Sequence, residues 1–236
     1  MKYTAAAKSD AAGDKRAEKR PTRSGKVVGR KSVPPGEVRI IGGIYKRTKL
    51  PVADRPGLRP TPDRVRETLF NWLGQDLTGW RCADPFAGTG ALGFEAASRG
   101  AGEVYVCEQD AILIDKLKAL QAKLKADVVK VERGDGVSLL RRLAAGSMQL
   151  VFLDPPFESV ALYEPALRAA AQAITSTGLV YLEAPKAWSE DELAGVGLTL
   201  LKSGRAGAVH FHLLGKKPDA DAAIAEAAPA AAPQDR

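Results

Sequence analysis

Residues 80–90 read Trp-Arg-Cys-Ala-Asp-Pro-Phe-Ala-Gly-Thr-Gly, a short apolar stretch that ends in an aspartate and leads into a glycine-rich loop. A short apolar run bounded by proline and glycine predicts a buried β-strand followed by a turn. Glycines in such a loop permit a tight turn and let the backbone approach a ligand closely. The stretch therefore predicts an α/β fold in which this loop holds a nucleoside-bearing cofactor.

A second segment of the same kind occurs at residues 150–157, which read Leu-Val-Phe-Leu-Asp-Pro-Pro-Phe. Its apolar half again predicts a buried strand, and the loop that follows offers a carboxylate, a proline carbonyl and an aromatic ring. In a parallel sheet both loops open at the carboxyl edge, where such folds bind ligands. We therefore expect the two loops to form one site.

Around these segments the pattern alternates between strands and helices, which predicts a mostly parallel sheet covered on both faces. The predicted strands are 80–85, 103–108, 128–133, 149–154, 177–183, 197–203 and 206–214, and the predicted helices are 90–99, 110–125, 136–145, 161–174 and 188–194. Only Gly204 and Arg205 join the last two strands, so these should form an antiparallel hairpin. A seven-stranded sheet of this kind is the Rossmann-like architecture of class I methyltransferases.

The two ends of the chain differ in composition from its middle. Residues 1–35 hold ten Lys or Arg and three acidic residues, a net +7 that equals the charge of the whole 236-residue chain. This basic arm and the Ala/Pro-rich tail at 216–236 lack apolar periodicity, so we expect both to be disordered. We predict that residues 36–57 form a small N-terminal β-hairpin that binds RNA, and that residues 58–215 form the catalytic domain.

Composition excludes several other classes of protein. The chain is 45% hydrophobic, enough for a packed core, and has no apolar run near the roughly 20 residues of a membrane span. Its two cysteines, Cys82 and Cys107, fall in predicted core strands and are expected to be buried and reduced. His210 and His212 alternate on one strand without a third ligand, so no metal site is expected. We expect a cytoplasmic protein.

The glycine loop by itself also fits a dinucleotide-binding protein. Residues 88–93 match the G-x-G-x-x-G pattern, and Glu108 lies 20 residues after Gly88, where an acid binds a ribose hydroxyl. Asp84 favours a sulfonium cofactor, because its carboxylate would repel a pyrophosphate but would accept a hydrogen bond from an ammonium group. The cofactor-binding residues that we predict are Asp84, Phe86, Ala87, Gly88, Thr89, Gly90, Glu108, Gln109, Asp135 and Gly136. Asp135 is also a possible helix cap.

The Asp-Pro-Pro-Phe loop predicts methyl transfer to an exocyclic amine of a nucleobase. Such a nitrogen is a poor nucleophile because its lone pair is delocalised into the ring. If the Asp154 carboxylate and the Pro155 carbonyl each accept one N–H, the lone pair becomes available, and the rigid Pro155-Pro156 pair preplaces both acceptors. Phe157 can stack on the target base. Asp154, Pro155, Pro156 and Phe157 are therefore the predicted catalytic residues.

Basic and aromatic residues near the N-terminal hairpin predict contact with RNA. They are Arg39, Tyr45, Lys46, Arg47, Lys49, Arg59, Arg64 and Arg66. The hairpin charges could instead serve only to protect a strand edge from aggregation. Arg66 could equally form a structural ion pair. Thr61, followed by Pro62, predicts the N-cap of a helix that ends near Gly74.

Four motifs in one order resemble the RsmD family, bacterial enzymes that methylate N2 of one guanine in 16S ribosomal RNA. They are Arg-Ile-Ile-Gly-Gly at 39–43, Arg-Pro-Thr-x-x-Arg-Val-Arg-Glu-x-x-Phe-Asn at 59–71, residues 84–93 and residues 154–157. The resemblance spans 37–215. It implies an S-adenosylmethionine cofactor, 16S rRNA in an assembling 30S particle as substrate, and a monomer. It also makes Thr61, Arg66 and Asn71 secondary candidates for cofactor or substrate contact.

The sequence departs from the family at two positions and leaves other functions open. Thr89 and Phe157 stand where the family commonly has Ser and Tyr, changes that keep a small hydroxyl and an aromatic face. The same loop chemistry would serve a DNA adenine-N6 or cytosine-N4 methyltransferase, although no stretch is large enough for a separate DNA-recognition region. A non-catalytic RNA-binding assembly protein and an NAD-dependent oxidoreductase are two more functions that parts of the sequence would fit.

Overall fold

A computed structural model describes residues 37–52 and 61–217 of the chain. The predicted basic arm and nearly all of the predicted Ala/Pro tail lie outside the described residues, as does Arg59. None of the helices in the described ranges is both long and apolar enough to cross a bilayer.

Seven strands form one sheet, and a separate antiparallel pair precedes them. The pair is β1 (Glu37–Arg39) and β2 (Lys49–Pro51), and the sheet contains β3 (Arg81–Asp84), β4 (Glu103–Glu108), β5 (Val129–Arg133), β6 (Met148–Leu153), β7 (Ile174–Ala184), β8 (Leu198–Ala206) and β9 (Val209–Lys216). The order is β5-β4-β3-β6-β7-β9-β8, with every pair parallel except those that β9 makes with β7 and β8. The predicted parallel sheet with its C-terminal hairpin is confirmed.

Helices cover both faces of the sheet, and alternate strand residues supply two hydrophobic cores. The helices are α1 (Asp63–Trp72), α2 (Ala91–Ser98), α3 (Ala111–Leu124), α4 (Gly136–Arg142), α5 (Tyr163–Ala173), preceded by a 3-10 turn at Val160–Leu162, and α6 (Glu190–Gly195). Phe152 and Tyr181 pack with α1 and α2, whereas Leu153 and Leu182 pack on the other face with α4 and α5. Cys82 and Cys107 are buried and free, as predicted.

The start of helix α1 and the turn of the C-terminal hairpin differ from the prediction. Helix α1 begins at Asp63 with Pro62 in the capping position, so Thr61 is not the N-cap; its side chain is buried instead. The hairpin turn lies at Gly207 and Ala208, where Gly207 has a φ of 64°. Gly204 lies within β8 opposite Phe211, and a Cβ there would come within 2.4 Å of the Phe211 ring. That glycine is therefore required by packing and not by a turn.

The turn between β1 and β2 is bonded to helix α2 through Glu95. The buried carboxylate of Glu95 accepts hydrogen bonds from the backbone N–H groups of Ile41 (2.7 Å) and Gly42 (2.8 Å). It also pairs with the guanidinium groups of Arg66 (3.5 Å) and Arg99 (2.8 Å). One buried carboxylate therefore joins the N-terminal hairpin, α1 and α2.

Ser98, one turn further along α2, holds the tip of the same hairpin. Its carbonyl accepts the N–H of Ile44 at 2.8 Å, and its hydroxyl oxygen accepts the N–H of Tyr45 at 2.8 Å. Gly43 has a φ of 72°, and a Cβ on it would lie 1.7 Å from the Ser98 carbonyl oxygen. Only glycine fits this close approach, which explains the Gly42-Gly43 pair of the sequence.

Candidate active site

A cavity of about 540 Å³ opens at the carboxyl ends of β3, β4, β6 and β7, between the two loops singled out in the sequence. This volume lies in the range of small-molecule sites. Most predicted site residues line it, namely Thr61, Asp84, Phe86, Ala87, Gly88, Thr89, Glu108, Gln109, Gly136, Asp154, Pro155, Pro156 and Phe157. Gly90, Asp135 and Asn71 do not.

The glycine loop and the start of α2 are packed closely against the sheet. Gly90 precedes α2 with a φ of 77°, and a Cβ there would lie 2.6 Å from Leu117 and 2.8 Å from Phe94. Asp84 at the end of β3 is buried and accepts the N–H of Gly93 at 2.9 Å. Burial raises the pKa of Asp84 to about 7. Asp84 thus anchors α2, in addition to lining the cavity where we predicted a cofactor contact.

Glu108 ties the glycine loop to the end of β4. Its Oε2 accepts the N–H of Gly88 at 2.9 Å, and its Oε1 accepts the N–H groups of Gln109 at 2.7 Å and Asp110 at 2.9 Å. A carboxylate has about four acceptor positions. Backbone N–H groups occupy three of them, so about one acceptor position of Glu108 remains.

Asp135 acts as a helix cap, the second of the two roles that the sequence left open for it. It precedes α4 and accepts the backbone N–H of Ser138 at 2.8 Å, and this bond lowers the pKa of Asp135. The neighbouring Gly136 faces the cavity, where a Cβ would come within 2.3 Å of the Pro85 carbonyl oxygen. Asn71 is exposed and accepts a hydrogen bond from the Gln75 side chain.

The Asp-Pro-Pro-Phe loop places its carboxylate and its aromatic ring in the same cavity. Asp154 follows β6, and its pKa is raised well above the ordinary value, first by burial and then by the nearby charge of Glu183 and Asp84. A hydrogen bond from the N–H of Ser159 to the Pro156 carbonyl, at 2.9 Å, closes the loop into a turn. Phe157 is half-buried and lines the cavity. The loop thus presents the predicted groups together.

Glu183 is a cavity residue to which the sequence analysis assigned no role. It lies at the end of β7, next to Ala184, and is buried. The signal was available in the sequence, because Glu183 ends the strand that was predicted to follow the Asp154 strand in the same parallel sheet. Within residues 37–52 and 61–217, no three histidine, cysteine or acidic side chains are grouped so that they could hold a metal ion.

The basic residues predicted to contact RNA fall into two groups in the structure. Lys46, Arg47, Lys49 and Arg64 are exposed, and Arg39, also exposed, lies 3.9 Å from Asp63 at the start of α1. Arg66 has no exposed surface and pairs with Asp63 and Glu95, which is the structural ion pair, the second of the two roles that the sequence left open for it. The sequence did not show that Glu95 lies against α1.

The tip of the hairpin presents an apolar group among these charges. Ile44 is 78% exposed and lies between Gly43 and the half-buried Tyr45, which packs against the core. Burial raises the pKa of Tyr45. The ring that we expected to stack on a base is therefore partly engaged within the protein, and the surface at this tip consists of Ile44, Lys46 and Arg47.

Comparison with known proteins finds a matching family and relatives that are named as rRNA methyltransferases. Residues 38–215 match the family model described as Conserved hypothetical protein 95. The chain is 46% identical over 129 residues, 55% of its length, to Ribosomal RNA small subunit methyltransferase D of Escherichia coli, and the match spans 65% of that relative. It is 38% identical over 182 residues to the Haemophilus influenzae protein of the same name, covering 75% of this chain and 93% of the relative.

A solved structure extends the comparison to the fold. The Escherichia coli yhhF protein superposes with a TM-score of 0.65 at 36% identity, covering 78% of this chain and all of that one. The aligned part of the chain therefore matches a complete solved structure.

Proposed function

The chain belongs to the RsmD family of methyltransferases, and on that premise we propose that it transfers a methyl group from S-adenosylmethionine to the exocyclic N2 of a guanine in 16S ribosomal RNA. The observation that carries the proposal is the shared cavity of the glycine loop and the Asp-Pro-Pro-Phe loop. A cofactor loop and a carboxylate beside an aromatic ring are what methylation of a base amine requires. The relatives named as rRNA methyltransferases supply the substrate class.

The cavity suits the proposed cofactor. Gly88 and Gly136 bring backbone close to the cavity, and Glu108 retains an acceptor position for a ribose hydroxyl. Asp84 and Glu108, which both bond to the glycine loop or the start of α2, make this part of the cavity acidic, which favours a cationic ligand. When bound, S-adenosylmethionine would supply an activated methyl group on its sulfonium sulfur.

Residues of the Asp-Pro-Pro-Phe loop perform the chemistry on the base. The ionised Asp154 carboxylate and the Pro155 carbonyl accept the two N–H groups of the amine, so that its lone pair is no longer delocalised. Because Pro155 and Pro156 restrict the backbone, both acceptors are held in place before the base arrives. Phe157 stacks on the base and fixes its plane in the cavity. The loop thus orients and activates the nucleophile.

The experiment that tests this function measures transfer of labelled methyl groups from S-adenosylmethionine to 30S subunits, naked 16S rRNA and duplex DNA. Subunits and RNA come from cells that lack the endogenous enzyme, and mass spectrometry identifies the modified nucleoside. N2-methylguanosine in the ribosomal substrates would support the proposal. Methyladenine or methylcytosine in DNA, or no methylation of any substrate, would contradict it.

Glu108→Ala is expected to weaken S-adenosylmethionine binding about 10- to 100-fold, because hydrogen bonds to charged groups contribute roughly 1.5–3 kcal/mol. The loss combines the ligand contact with the anchoring of Gly88. Isothermal titration calorimetry measures the dissociation constant directly. Glu103→Ala is the matched control, since Glu103 starts the same strand at the opposite edge of the sheet. If Glu108→Ala and Glu103→Ala bound S-adenosylmethionine with equal affinity, Glu108 would not be a cofactor ligand.

The exposed cations of the N-terminal hairpin are proposed to lie on the RNA backbone. Lys46→Ala and Arg47→Gln should each reduce the salt dependence of RNA binding by about one unit of slope, because each removes about one phosphate contact. Affinity for S-adenosylmethionine should stay unchanged. Binding to 16S rRNA fragments is measured at several salt concentrations, with Lys118→Ala on α3 as control. A slope equal to that of the unaltered protein would exclude the hairpin from the RNA interface.

The setting of the reaction follows from the same family. We expect the substrate to be 16S rRNA in an assembling 30S particle, and the enzyme to act as a monomer in the cytoplasm. Arg39 and Arg64, both exposed beside or within α1, extend the proposed RNA surface from the hairpin toward Thr61 at the cavity. The substrate arms of the transfer assay distinguish an assembled particle from free RNA.

A further inference from the structure

The strands β6 and β7 bring Asp154 and Glu183 next to each other. Leu153 pairs with Leu182 in the parallel register, so Asp154 and Glu183 are the next two residues at the same edge. Side chains alternate along a strand, which places both on the face of Phe152 and Tyr181. This is the face covered by α1, and Thr61 lies just before that helix. The partly exposed carboxyl group of Asp154, the buried carboxyl group of Glu183 and the Thr61 side chain therefore lie together in the cavity lining.

Thr61 lines the cavity together with both carboxyl groups, and hydrogen bonding by its hydroxyl lowers the pKa of each. The Tyr181 hydroxyl donates to Oε1 of Glu183 at 2.8 Å. A hydroxyl group has only one proton to donate. Thr61 can therefore donate to one carboxylate, and it can bond to the other only by accepting a proton which that group carries. Both bonds can therefore form together only in the state with one proton on the pair, which is reached after the ionised pair has taken up a proton.

The surroundings favour such a shared proton. Burial raises the pKa of both carboxyl groups, and the charge of Glu183 raises that of Asp154 further. The other titratable or charged groups around the pair are Asp84 from β3, Arg66 from α1, Tyr163 from α5, Tyr181 from β7 and Glu158 from the loop after β6. Of these, only Arg66 is a cation; its Nε donates to the Thr61 carbonyl at 3.3 Å. Tyr163 has a buried hydroxyl without a partner among the described residues.

We propose that Asp154, Thr61 and Glu183 form a proton-accepting unit, in which Glu183 is a positioning residue that keeps Asp154 basic and shares the proton released in each turnover. The inference rests on the proposed methyl transfer. When the exocyclic nitrogen gains a methyl group it becomes positively charged, and one of its N–H bonds must break. The electron pair stays on nitrogen, and the proton bonds to Asp154. Thr61 accepts it there and donates its own proton to Glu183.

The proposed unit predicts the direction in which each substitution shifts the pH dependence of kcat. Asp154 must be ionised to accept the amine, so its raised pKa sets the acidic limb of the profile. Glu183→Gln removes the neighbouring charge and should move that limb to lower pH by ~1 unit, while lowering the plateau kcat about tenfold or more. Thr61→Val removes a bond that lowers the pKa of Asp154, so it should move the limb to higher pH.

The assay measures methyl transfer to the ribosomal substrate between about pH 5 and 9, above the ordinary pKa of a carboxyl group. KM for the RNA and the dissociation constant for S-adenosylmethionine should stay within about twofold. Glu164→Gln, the same chemical change at an exposed position of α5, is the control and should reproduce the unaltered profile. Opposite shifts for Glu183→Gln and Thr61→Val would support the unit, because loss of packing alone would not produce them.

Several outcomes would overturn the proposal. If the pH profile of Glu183→Gln were identical to that of the unaltered enzyme, the proposed role of Glu183 would be wrong, although the proposed methyl transfer would stand. Absence of transfer by the unaltered enzyme would instead contradict the proposed function itself. If a variant failed to fold, carboxyl ¹³C NMR of the unaltered protein would test the shared proton instead. Asp154 and Glu183 should then titrate in two separated steps. A single step for both groups near pH ~4, the value of free carboxyl groups, would exclude a shared proton.

Discussion

Asp154→Ala is expected to lower methyl transfer by about 10³-fold, while the affinity for S-adenosylmethionine changes by less than about threefold, or ~0.7 kcal/mol. The carboxylate acts on the amine of the base and not on the cofactor, so its loss should appear in kcat. Asp154 is the group that the loop and the β6–β7 register hold at the cavity floor. Single-turnover transfer to the ribosomal substrate and calorimetric cofactor binding measure the two effects separately.

Two further variants sharpen this prediction. Asp154→Asn keeps one carbonyl acceptor but loses the charge, so its activity should lie between those of the unaltered protein and the alanine variant. Asp115→Ala, at an exposed position of α3, controls for the removal of an acid elsewhere. If Asp154→Ala lost cofactor binding in proportion to activity, Asp154 would be a cofactor ligand or a structural residue, and the mechanism proposed for the loop would be wrong.

The parallel arrangement of the strands and the position of the cavity could be predicted because local sequence patterns indicate them. Each parallel strand is a short apolar run, and the residues that follow it, such as Asp84, Glu108 and Asp154, mark the carboxyl edge. Once the strands are parallel, these strand ends must share that edge. Physical reasoning from the sequence therefore brought the two loops together without any knowledge of side-chain contacts.

The surroundings of two residues depend on partners that are distant in sequence. Arg66 pairs with Glu95, 29 residues away, and Thr61, which was predicted to be an N-cap, is buried in the lining of the cavity with Asp154 and Glu183. A threonine before a proline and acidic residues has the ordinary pattern of a helix start, and that local signal prevailed in the sequence analysis. Gly204 was read as a turn for the same reason, although the Phe211 ring across the hairpin determines it.

Glu183 shows what a physical analysis of the sheet edge adds. The glutamate stood at the end of a predicted strand, but no local motif surrounds it, so its chemistry could not be stated. Its position beside Asp154 follows from the strand register: Leu153 lies opposite Leu182, and the next residues are both acids. A pair of acids at the ends of adjacent parallel strands is therefore a signal in its own right, provided that the strand order is known.

Glu95→Ala is expected to lower the free energy of unfolding by about 3–5 kcal/mol, the typical effect of breaking a buried ion pair. The change leaves the buried Arg66 and the nearly buried Arg99 without their shared carboxylate. It also leaves the N–H groups of Ile41 and Gly42 without their acceptor, so the N-terminal hairpin is held to α2 only through Ser98. Urea denaturation followed by circular dichroism measures the change.

The control for this prediction is Glu67→Ala, an exposed glutamate of α1, which should cost less than about 0.5 kcal/mol. Glu95→Gln should fall between the two, because the amide oxygen still accepts one backbone N–H but the charge opposite both guanidinium groups is gone. If Glu95→Ala cost no more than Glu67→Ala, the carboxylate would not be the connection between the hairpin and the domain. Measuring both RNA binding and stability separates RNA contact by the hairpin from its attachment to the domain. Lys46→Ala should weaken RNA binding without lowering the free energy of unfolding. Glu95→Ala should lower both.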